Sequence, residues 1–271
     1  MATDKKNIKN RLMAIGIIGL CLCTLFLEYL NISFVKDEIR NDFITKILTQ
    51  TCGAGAAILL MVQMKIRLFG KPQKLLYLIP CFIVAIDNFQ FYSYFQGNMS
   101  LARTGAWDFV LFGLQCLSVG IFEECVFRGI VFVLVAGFFT DDKKGFIMTF
   151  IVSSLIFGAA HLFNGSILQV GYTILTGGLF AFAMIKTKNI FCAGLVHAVY
   201  NFGGMLFSNV GGLGNGVVFD LGTGITMAIV GVLAGLFVLY SIFKTSEAER
   251  SCLYAKLNIK AKKPKTEETN Q

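Results

Sequence analysis

Apolar runs close to the ~20 residues that a helix needs to span a bilayer recur along the whole chain. No other feature restricts the fold as strongly. They lie near residues 12–30, 47–64, 75–95, 107–138, 147–163, 167–185, 189–207 and 221–243. A segment in hydrocarbon must satisfy its own backbone, which a helix does internally. The predicted architecture is therefore all-α: a polytopic membrane protein with about eight transmembrane helices enclosing a polar intramembrane cavity. Composition agrees, with 55% hydrophobic and 15% charged residues against roughly 25% charged in ordinary globular proteins. The fourth run exceeds what a bilayer requires, which predicts a tilted, interfacial or broken segment.

The connections supply an independent check. With the N-terminus inside, Lys5, Lys6, Lys9 and Arg11 are cytoplasmic, as are Lys65, Arg67, Lys71 and Lys74. Lys143, Lys144, Lys186, Lys188 and the basic C-terminal tail fall on the same side. The opposite side receives only Lys36, Arg40, Lys46 and Arg103. This asymmetry predicts eight spans with both termini cytoplasmic. It also accounts for the net charge of +8 as solvated membrane flanks facing membrane lipids, with no nucleic-acid partner.

The eight cysteines are scattered, most of them within apolar runs, and form no C-x-x-C pair. They read as small apolar side chains rather than a disulfide framework. The first run is too long for a signal peptide and is followed by no A-x-A-like site, so it reads as a retained anchor. Asp87, Asn88 and Gln90 read as membrane-edge residues or, alternatively, as the lining of a polar cavity. Gly53, Gly55 and the Gly231-to-Gly235 pair read as small-residue helix contacts. Gly211 to Gly216 reads as an external loop, and Thr245 to Gln271 as a mobile basic tail.

One apolar run carries two adjacent carboxylates and an arginine. Residues 121–130 read I-F-E-E-C-V-F-R-G-I, and ionisable groups at membrane depth are expensive and mark function by default. On a helix Glu124 and Arg128 are four apart and meet on one face, while Glu123 points about 100° away from Glu124. One carboxylate can then be neutralised structurally and the other kept for chemistry. The chain has two histidines. His161 ends the fifth run, in F-G-A-A-H. His197 lies in the seventh, in H-A-V-Y-N, four residues before Asn201 and on the same helical face.

These residues form E-E-x-x-x-R (Glu123 to Arg128), F-x-x-x-H (Phe157 to His161) and H-x-x-x-N (His197 to Asn201), in that order. Together they resemble the CAAX protease and bacteriocin-processing family (CPBP, also Abi) of intramembrane endopeptidases, of the type II CAAX prenyl endopeptidase kind. The resemblance spans roughly residues 105–207. It implies that Glu123 and His161 activate a water molecule and that His197 and Asn201 stabilise the oxyanion. Glu124 and Arg128 would be structural or substrate-orienting, with Phe157 as motif support. Amide hydrolysis needs a base for that water and donors aimed at the developing negative charge, the latter typically worth ~2.7–4 kcal/mol each.

The expected reaction is cleavage of a membrane-associated peptide, either a CAAX-type prenylated protein or a peptide precursor, with no cofactor. A zinc metalloprotease with Glu123, His161 and His197 as ligands is the alternative mechanism, although no H-E-x-x-H is present. The rival functions are a transporter using Glu123, Glu124 and Arg128 as a relay, and a non-catalytic bacteriocin-immunity membrane protein. The chain divides into a cytoplasmic segment (1–11), N-terminal spans (12–104) and a protease-like core (105–207). An external loop with the last span (208–244) and a basic cytoplasmic tail (245–271) follow. The expected location is a bacterial plasma membrane.

Overall fold

In the computed structural model the described residues are 15–16, 19, 32–89, 91–95, 105–163, 167–209 and 221–259. Most of the expected first span, Cys21, Cys23, Gln90, Gly211 to Gly216 and the end of the tail lie outside them. Among the described residues every regular element is helical. They are α1 (Glu38–Gln63), a 3₁₀ turn (Leu75–Leu78) leading into α2 (Ile79–Asp87), α3 (Phe91–Phe95) and α4 (Ala106–Glu124). A π-helical stretch (Cys125–Val131) joins α4 to α5 (Phe132–Ala136). Then come α6 (Lys143–Ala160), α7 (Ile167–Thr187), α8 (Ile190–Asn209), α9 (Leu221–Phe243) and α10 (Glu247–Leu257).

The apolar runs and the helices coincide, with informative departures. α1 starts nine residues before its apolar run because Asp37 caps it, accepting a hydrogen bond from the Arg40 N–H at 2.9 Å. A Lys46–Asp42 pair four residues apart supports the polar first turns. The third run is divided: α2 ends at Asp87 with Asn88 as its C-cap, and α3 restarts at Phe91. The fourth run stays helical throughout, and its excess length is taken up in part by the π stretch.

Four helices are long and apolar enough to cross a membrane: α1, α6, the Val170–Thr187 part of α7, and the Gly224–Phe243 part of α9. Leu75–Asp87 and Ile190–Leu206 are shorter apolar helices. α9 turns Ile229, Leu233, Leu236 and Tyr240 outward, each more than half exposed, as a lipid-facing helix does. The chain is an integral membrane protein.

α4 forms the centre, lying against α8 on one side and α1 on the other. Without a hydrophobic drive between helices in lipid, such contacts depend on close backbone approach and polar links. A Cβ on Gly120 would come within 2.6 Å of the Gly194 carbonyl oxygen and 2.9 Å of the Ala198 nitrogen. α6 meets α7 in the same way, since a Cβ on Gly158 would reach Ile174. Of the glycines expected to make helix contacts, a Cβ on Gly55, Gly231 or Gly235 would meet nothing within 4 Å among the described residues. Gly53 is buried.

At one end of the bundle the basic connections are tied together. The Gln73 N–H donates to the Thr187 carbonyl at 2.8 Å and the Ile190 N–H to the Leu68 carbonyl at 2.9 Å. Lys186 donates to the Ser241 carbonyl at 3.2 Å and to the Thr245 hydroxyl at 3.1 Å. α10 closes this end, which corrects the reading of residues 245–259 as mobile. A Ser246/Glu249 capping box starts it. Leu253, Tyr254 and Leu257 are each at most 4% exposed, Glu249 pairs with Lys74, and the Arg67 N–H donates to the Lys256 carbonyl at 2.7 Å. The tail's charge masks this short apolar face in a composition reading.

Gly120→Val should lower stability by about 1–3 kcal/mol or more, because backbone rather than a flexible side chain occupies the space. Gly231→Val should stay within about 0.5 kcal/mol of the unaltered protein, as surface changes generally do. Thermal unfolding of both variants in detergent checks the contrast.

Candidate functional site

The fourth run's charges are buried where α4 meets α8 and α7. Glu124 is fully buried and Arg128 is 2% exposed. Arg128 Nη1 donates to Glu124 Oε1 at 3.0 Å, the pair that the four-residue spacing predicts. Its Nη2 donates to the Gly177 carbonyl at 2.6 Å, binding α7 to the fourth helix. The guanidinium carbon lies 4.2 Å from the Phe157 ring centroid, so a cation–π contact covers the remaining face. A buried cation needs this enclosure by acceptors and an aromatic face.

His197, 3% exposed, completes the cluster. Its Nδ1 lies 2.9 Å from the same Glu124 Oε1. A carboxylate oxygen accepts, so Nδ1–H donates. Glu124 therefore joins Arg128 to His197 through one oxygen, beyond the Glu124–Arg128 pairing that spacing alone predicts. Phe180 stacks on the imidazole with centroids 4.3 Å apart and planes 16° apart, which fixes the ring's rotation. Its Nε2 then faces Glu123, 3.9 Å from Oε2.

Glu123 differs from its neighbour, as the 100° offset requires. Its side chain is 24% exposed, yet Oε2 is shielded and has no hydrogen-bond partner among the described residues. A gap of 3.9 Å is too long for a direct hydrogen bond and is the span that a bridging water serves.

His161 follows the last residue of α6, in a 3₁₀ turn. Its Nδ1–H donates to the Phe157 carbonyl at 2.8 Å, which leaves Nε2 with its lone pair free to accept. The Phe157 ring stands 4.8 Å from the His161 ring and 5.9 Å from the His197 ring, centroid to centroid. The phenylalanine of F-x-x-x-H is thus the wedge on which both histidines and Arg128 pack. Gly177 makes room for it, since a Cβ there would lie 2.8 Å from the ring. Asn201, half-buried, lies one turn beyond His197 on α8.

Glu123, Glu124, Arg128 and His197 therefore converge directly, and His161 joins them through Phe157. Gly177 and Phe180 escaped the sequence reading. Gly177 stands in a Gly-Gly pair that spacing could have flagged, whereas nothing marks Phe180 among so many phenylalanines. Among the described residues no three His, Cys, Asp or Glu side chains are placed to hold a metal.

These features define an integral membrane protein with a buried carboxylate–imidazole–guanidinium cluster. Residues 105–203 match the family model described as type II CAAX prenyl endopeptidase Rce1-like, and every motif residue falls inside the match. Over that segment the chain is similar to type II CAAX prenyl endopeptidases. No curated protein and no solved structure matches the chain.

Glu124→Ala or Arg128→Ala alone should cost about 3–5 kcal/mol, because each strands a buried partner charge. Replacing both with apolar residues should cost less than the sum of the two single changes. A double-mutant cycle on thermal unfolding in detergent measures this.

Proposed function

We propose that the protein is an intramembrane endopeptidase that hydrolyses a membrane-associated peptide. The observation that carries this reading is the shielded Glu123 Oε2, unpartnered among the described residues and 3.9 Å from His197 Nε2, inside a segment similar to type II CAAX prenyl endopeptidases. A carboxylate held there is free to take a proton from a water molecule.

In the proposed reaction Glu123, with His161 Nε2 as second acceptor, draws a proton from the attacking water as its oxygen adds to the peptide carbonyl. Glu123 then passes that proton to the leaving amine as the C–N bond breaks. His197 Nε2 and the Asn201 amide donate to the oxyanion. Donation from Nε2 requires the ring to carry both protons, since Nδ1–H is given to Glu124. The Glu124 carboxylate compensates that charge, so Glu124 acts on catalysis through His197 as well as on folding. We assign no metal to this reaction, because a carboxylate and an imidazole acting on one water account for its activation without one.

The substrate is either a prenylated CAAX-type protein or a peptide precursor lying at the membrane. The basic connections, gathered at one end of the bundle, support a cytoplasmic position for that end and for both termini, in a bacterial plasma membrane.

Glu123→Ala and His161→Ala should each abolish cleavage of a membrane-associated peptide in liposomes while preserving thermal unfolding. Asn201→Ala should lower kcat by about 10²–10³, as loss of an oxyanion donor does. EDTA should leave activity unchanged; loss on chelation with recovery on adding zinc would reverse the assignment. Solute flux with no new peptide termini would point to a relay transporter instead.

A further inference from the structure

Asn88 lies far from the motifs in sequence and sits where α2 stops. The sequence reading places it at the membrane edge or in a polar cavity. It is instead 6% exposed and in contact with the catalytic helix. Its Nδ2 donates to the Tyr200 carbonyl at 2.8 Å, and that carbonyl belongs to the peptide bond between Tyr200 and Asn201. The Tyr172 hydroxyl of α7 donates to Asn88 Oδ1 at 3.3 Å. The Tyr200 carbonyl only accepts, which fixes the amide orientation, and the Tyr172 hydroxyl then donates to Oδ1.

The approach is built in from the other side as well. A Cβ on Gly204 would strike Asn88 Nδ2, and one on Gly203 would stand 2.5 Å from the Phe89 ring. The Gly203–Gly204 step on α8 thus admits Asn88 and Phe89 just beyond Asn201. The break after α2 frees Asn88 from helical continuation and turns its amide toward α8. Tyr172 and Tyr200 pack against each other at 5.8 Å, and Tyr200 packs on Phe180, the ring that stacks on His197. One polar clamp therefore links α2, α7 and the turn of α8 that carries Asn201.

We propose that Asn88 is a positioning residue for Asn201: by holding the Tyr200 carbonyl, with Tyr172 fixing its amide, it sets where the Asn201 side chain points. This rests on the reading of Asn201 as an oxyanion donor. Such a residue touches no substrate and acts on kcat rather than KM.

The test compares Asn88→Leu and Tyr172→Phe with the unaltered protein, each alone and combined with Asn201→Ala. Asn88→Leu should lower kcat at least about tenfold, as displacement of a catalytic group does, with KM within about twofold. Tyr172→Phe should shift kcat in the same direction by less. Neither should lower the residual activity of Asn201→Ala much further. An equal proportional loss with and without Asn201, or an unchanged kcat, overturns the proposal. Where Asn88→Leu fails to fold, Tyr172→Phe carries the same comparison. Backbone hydrogen exchange over residues 200–206 decides independently of any cleavage: faster exchange confined there in Asn88→Leu supports the clamp, and unchanged exchange overturns it. Absence of cleavage by the unaltered protein would defeat the peptidase reading alone and leave the exchange result standing.

Discussion

Two opposite charges placed inside a lipid-facing bundle have to be satisfied by groups from other helices, and that requirement shapes the centre of this protein. Glu124 cannot leave the interface of α4 and α8, and Arg128 cannot leave it either while Glu124 is ionised. Arg128 has more donors than Glu124 Oε1 can accept, so its second nitrogen reaches α7 at the Gly177 carbonyl. Glu124 Oε1 has more capacity than one donor uses, so it also takes the His197 ring. The pair therefore acts as a junction for three helices. Removing a member would strand the others in a medium with no water to replace them.

The junction works only because the backbones come close. Gly120, Gly158 and Gly177 each stand where a Cβ would strike a neighbouring element. Phenylalanines fill the space that this proximity leaves. Phe157 carries Arg128 on its face and touches both histidine rings, while Phe180 clamps His197. Aromatic rings suit this role because they stack on imidazole and guanidinium alike. Glu123 shares a helix with the anchor but points elsewhere, and it meets the network only across the 3.9 Å from its Oε2 to His197 Nε2.

Much of this was legible in the chain. The apolar runs fixed where most helices lie, since hydrocarbon permits little else. Spacing paired Glu124 with Arg128 and set Glu123 apart. Departures occur where polar signals compete with hydropathy. α1 begins early because a cap and an i,i+4 ion pair carry it through polar residues. α10 hides a three-residue apolar face in a charged tail. In sequence Asn88 reads as an edge residue or a cavity lining, because its partner, a backbone carbonyl of α8, leaves no mark there. The contact glycines were misjudged for a similar reason: composition marks a small residue, but only the facing helix shows whether anything approaches it.

The sequence by itself determined that this is a helical membrane protein, that Glu124 would pair with Arg128 inside it, and that the motif residues recur at helical spacings. These follow from local rules, namely the length of an apolar run, the cost of charge in lipid and the 3.6-residue turn. Tertiary structure decided which oxygen of Glu124 serves two partners, which phenylalanine joins the histidines, and which amide holds the turn bearing Asn201. Those choices depend on the register and separation of helices distant in the chain, and no local pattern encodes a distance between two faces.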